Sequence, residues 1–89
     1  MSGYRSDLEA LLANLNVLID RIRVSLLKHR DNQATYAATE ELLRETKAIR
    51  GECSEMLSDM RKEAIQDYAM ALRKLRASFR TVSDKLGVD

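Results

Sequence analysis

Apolar residues recur along the first third of the chain at Leu8, Leu11, Leu15, Leu18 and Ile22, continued by Ser25 and His29. Steps of three and four put these positions on one helical face. A second line, Leu12, Ile19 and Leu26, runs one residue behind alternate members, and Val17, Val24 and Leu27 widen the stripe further. A stripe that wide suits a helix touching two neighbours. Ser6 is the expected N-cap, with Asp7 and Glu9 at the positive end of the helix dipole. Lys28, His29 and Arg30 suit the negative end, and Asp31-Asn32 is the turn signal that follows.

The middle of the chain repeats as Thr39, Leu42, Thr46, Ile49, Cys53, Met56 and Met60. Two threonines and a cysteine make this seam weaker than the first. Thr35, or Thr39 ahead of Glu40 and Glu41, is the expected cap. The last third holds the most regular seam: Ile65, Tyr68, Leu72, Leu75, Phe79, Val82 and Leu86. It alternates steps of three and four without a miss, which is the apolar seam of a heptad helix and needs another helix against it. The middle and last seams are out of phase between Met60 and Tyr68.

Two architectures account for the phase break. In the first, the chain turns between Leu57 and Lys62, Ser58-Asp59 caps a third helix, and helices near 6–29, 33–57 and 61–86 form an all-α, antiparallel up-down-up three-helix bundle. In the second, one helix of roughly 50 residues runs from 34 to 86, about 75 Å long. The chain is then a long helical hairpin that dimerises through the last seam. Equal lengths favour the bundle. Missing turn residues favour the hairpin: Gly51 is the only interior glycine, and it either ends a helix or weakens one. The whole of 1–89 reads as a single helical domain.

Composition supports long helices, since the chain has no proline and three glycines in 89 residues. A chain of this length builds one modest core, with a stability of about 3–5 kcal/mol. Fifteen basic and 14 acidic residues give a net charge of +1, so there is no general pull toward nucleic acid or anionic lipid. No apolar run approaches the ~20 residues that cross a bilayer, so membrane contact is expected only through an anchor outside this chain. Cys53 is the sole cysteine, which fits a reducing, cytoplasmic setting.

Candidate chemistry is sparse. His29 is the sole histidine and reads as a helix-end cation. Cys53 reads as a small buried hydrophobe. The carboxylates Glu40, Glu41, Glu45, Glu52 and Glu55 lack the Glu-x-x-His pairs of a metal-binding bundle. Arg73, Arg76 and Arg80 read as the solvated flank of the last seam. No enzymatic motif, cofactor or metal is expected. The expected function is helix-on-helix protein binding, to another protein or a second copy. Ile65, Tyr68, Leu72, Leu75, Phe79 and Val82 are the expected contacts, with Leu72, Leu75 and Phe79 anchoring a partner or the chain's own third helix.

Two stretches resemble the regulatory N-terminal helices of Golgi Qb-type SNARE proteins. Asp7–Ile22, DLEALLANLNVLIDRI, is similar to an early helix of that domain, and Ile65–Phe79, IQDYAMALRKLRASF, to a later one. No SNARE motif is read in the stretch from Val82 to Asp89. The resemblance implies a three-helix bundle that contacts a SNARE motif or a tether during vesicle fusion. Thr35–Ile49, with Tyr36 and Lys47-Ala48-Ile49, resembles the second helix of helical-hairpin co-chaperones of bacterial type III secretion. That resemblance implies a groove holding a needle subunit or a second chaperone. A homodimeric coiled-coil scaffold is the third expectation.

Overall fold

A computed structural model describes residues 3–61 and 68–86. They form three helices: α1 (Gly3–Lys28), α2 (Gln33–Arg61) and α3 (Tyr68–Leu86). Pairing of side chains sets the directions. Asn16 meets Arg50 at 3.3 Å, while Leu8 accepts from Cys53, so α2 runs back along α1. Lys85 meets Glu45 at 3.1 Å, and Glu52 shares a groove with Ala77, so α3 runs back along α2. Asp7 pairs with Arg76, and Asn14 shares a groove with Ser83, so α3 runs with α1. This is the up-down-up bundle. A single helix from 34 to 86 is ruled out, because α3 runs back along α2 and the longest dimension is 48 Å. That length is close to the roughly 43 Å of a 29-residue helix alone.

Boundaries differ from the sequence reading in three places. Ser6 lies inside α1, which starts at Gly3; Arg5 and Glu9, 4.0 Å apart, form an i,i+4 pair across that first stretch. Asn32, rather than Thr35 or Thr39, caps α2: its side-chain oxygen accepts from the Thr35 amide at 3.2 Å, which satisfies one orphan donor of the first turn. Ser58 and Asp59 lie inside α2 rather than at the start of a third helix. Without glycine or proline to stop it, the helix carries on past Met56 and Leu57, which pack into the core. The segment 62–67, including Ile65, lies outside the described residues, as do the side chain of Met60 and residues 87–89. With α2 and α3 separate, the two seams have no need to share a phase.

The core joins Leu8, Leu11, Leu15, Leu18 and Ile22 of α1 to Leu42, Ile49, Cys53 and Met56 of α2 and to Leu72, Leu75 and Val82 of α3. The weak middle seam is thus used from Thr39 to Met56. Its threonines enter the core because each satisfies its own hydroxyl within the helix. Thr46 donates to the Leu42 carbonyl at 2.7 Å, and Thr39 to the Thr35 carbonyl at 2.8 Å. A buried hydroxyl with a partner avoids the desolvation penalty of an orphaned one.

Gly51 sits inside α2 rather than ending it, exposed, and a Cβ there meets nothing within 4 Å. Gly51→Ala is therefore expected to stabilise the fold by about 0.5–1 kcal/mol, through the lower entropy of the unfolded chain. A thermal melt should show Tm rising by roughly 2–8 °C; an unchanged or lower Tm contradicts this account.

Candidate functional site

The regular seam of α3 faces inward. Leu72, Leu75 and Val82 are buried, and Tyr68 and Phe79 are half-buried. The helix surface these residues meet belongs to α1 and α2 of the same chain. Ile65 lies outside the described residues. Two ion pairs flank the seam: Arg76–Asp7 at 3.6 Å toward α1 and Lys85–Glu45 at 3.1 Å toward α2. All four groups are partly exposed, so each pair contributes about 0–1 kcal/mol and serves mainly to orient α3.

Few side chains in the described residues offer chemistry. Cys53 is fully buried, its thiol donates to the Leu8 carbonyl at 3.4 Å, and burial pushes its pKa above the usual 9.0. A protonated, inaccessible thiol is a packing group that ties α2 to α1, with no nucleophilic character. His29 is exposed in the turn after α1. Among the described residues, no three His, Cys, Asp or Glu side chains come together as metal ligands. Arg73, Arg76 and Arg80 are exposed on α3, and Arg76 is held by Asp7. No helix among the described residues is long and apolar enough to cross a membrane.

The feature that stands out lies on α1, on the side away from the core. Val17 is 58 % exposed, Val24 52 % and Leu27 69 %. These three were expected to widen the core stripe, and the structure corrects that. Val17 is two positions beyond Leu15, and a two-residue step turns a helix by about 200°, onto the opposite face. Exposed Ala10 and Ala13 continue the same line toward the N-terminus. Helix α1 therefore carries two apolar faces, one covered by α2 and α3 and one open. The open face borders a groove of 630 Å³ whose lining includes Val17, Val24, Asp20, Arg21, Lys28 and, at the end of α3, Leu86. A periodicity scan that assigns every apolar residue to one stripe misses this second face; the rotation between Leu15 and Val17 is the signal that finds it.

No protein-family model matches this chain, and neither a curated protein nor a solved structure does. The class of protein defined by fold and surface is an all-α three-helix bundle with a helix-sized apolar face on its first helix.

Proposed function

We propose that this chain is a non-enzymatic helical protein-interaction module, of the kind provided by the regulatory N-terminal domains of Golgi Qb-type SNARE proteins, acting in vesicle trafficking. The observation that carries the reading is the open apolar face of α1, formed by Val17, Val24 and Leu27. A helix that is apolar on two opposite sides has a use for both, and the bundle supplies a partner for one. The stretch similar to an early SNARE-domain helix, Asp7–Ile22, lies on this same α1. The occupant is a single amphipathic helix of a SNARE motif, laid along α1 with its apolar side toward Val17 and Val24. The hairpin co-chaperone reading needs the α1–α2 groove free for a client. Here α3 lies in that groove, which favours the SNARE-type reading.

The test is calorimetric titration of the chain with a peptide spanning a Golgi Qb-type SNARE motif. Val17→Asp/Val24→Asp should keep the fold, since both side chains are more than half exposed and exposed sites tolerate change to within about 0.5 kcal/mol. It should weaken binding at least about tenfold, because two apolar contacts are lost and two charges are desolvated. Equal affinity of the two proteins for the peptide sinks the proposal.

A further inference from the structure

The open face of α1 also carries information about the charge of what it binds, and this inference rests on the helix-binding reading above. Written as a heptad, the face has Val17 and Val24 at position a, with Asp20 and Leu27 at d. Position e, on the side of α3, is then Arg21 and Lys28. Position g, on the side of α2, is Arg23, followed by Arg30 in the turn beyond the helix. Both flanks of the seam are basic over this stretch. Asp20, the one acid between Val17 and Arg30, is already held by Arg23 at 3.9 Å. Arg21 and Lys28 make no ion pair with any described residue and line the groove beside Leu86. They are a heptad apart, so they lie one above the other, about 10 Å apart along the axis.

Flank charges of this kind choose the partner of a coiled-coil seam. A second copy of this chain is a poor match. A parallel pairing sets g against e, hence Arg23 against Lys28. An antiparallel pairing sets each basic flank against itself. From this charge pattern we propose that the α1 face selects an amphipathic helix of another protein whose flanking positions are acidic, and that it discriminates against a second copy of itself and against basic helices. The acidic flank residues pair with Arg21 and Lys28 on the α3 side and with Arg23 on the α2 side. The apolar seam fills the groove between Val17, Val24 and Leu86.

The probes are two helix-forming peptides of about three heptads with one leucine seam between them in design. One carries glutamate at every flanking position and the other lysine. Like charges on both flanks also keep each peptide from pairing with itself. Titrated into the full chain at low salt, the glutamate peptide should bind at least about tenfold more tightly than the lysine peptide, and added salt should narrow the gap. Arg21→Glu/Lys28→Glu should reverse the order of preference. Circular dichroism should show both proteins equally helical, since neither side chain enters the core. Equal affinity for the two peptides, with binding still lost in Val17→Asp/Val24→Asp, overturns the charge selection while leaving the helix-binding reading intact. Binding of neither peptide overturns both. Sedimentation of the chain as a dimer that Val17→Asp/Val24→Asp dissociates overturns the selection as well, because a second copy then occupies the face.

Discussion

Leu75→Asp is expected to unfold the domain. Leu75 sits near the middle of α3, 4 % exposed, in the cluster shared by all three helices. Removing the leucine forfeits about 1.5–3 kcal/mol of burial. The new carboxylate finds no cation beside it in an apolar core, which costs several kcal/mol more unless the chain opens to hydrate it. Together these exceed the roughly 3–5 kcal/mol that a domain of this size holds in reserve. Far-ultraviolet circular dichroism should show reduced helicity and no cooperative melt. Lys74→Asp, one residue away and exposed, is the matched control and should melt close to the parent. A Leu75→Asp protein with a parent-like melt contradicts the packing of α3 described above.

The second large effect is a contrast between neighbours. Leu15 is fully buried where α1 faces the core. Leu15→Ala should cost about 2–5 kcal/mol, from lost transfer energy plus the cavity left behind. Val17→Ala, two residues on, should change stability by no more than about 0.5 kcal/mol. Urea titrations followed at 222 nm measure both. Similar costs at the two positions would mean that α1 is rotated relative to this structure, and the open face would then not exist.

Much of the architecture was legible in the chain, for a definite reason. Steps of three and four keep Leu8, Leu11, Leu15, Leu18 and Ile22 on one side of a helix whatever that helix packs against, so the core line of α1 needed no tertiary information. The same held for Leu72, Leu75 and Val82. The continuation of α2 through Ser58 and Asp59 was not legible, because nothing in Leu57–Arg61 disfavours helix or marks a turn; Met56 and Leu57 still have core to pack against, and the helix carries on. The start of α2 was half legible. Asn32 reads as a turn residue, but its capping bond to Thr35 depends on the backbone's path out of α1. The open face of α1 was the least legible feature. Val17, Val24 and Leu27 are apolar and close in sequence to the core line, yet they point the other way. Their meaning appears only when they are grouped with Arg21, Arg23 and Lys28 as a seam in its own right.

The connections between helices carry a consequence for how the domain assembles. Only four residues, His29 to Asn32, separate α1 from α2, so those two helices meet at little loop-closure cost and can zip from the turn outward. By contrast, the ion pair between α3 and α1 joins positions as distant as Asp7 and Arg76. Bringing α3 onto α1 therefore closes a much longer loop than the α1–α2 turn does. On this ground the α1–α2 hairpin is expected to form first and α3 to dock last, so native-state hydrogen exchange should show α3 opening at lower cost than the hairpin.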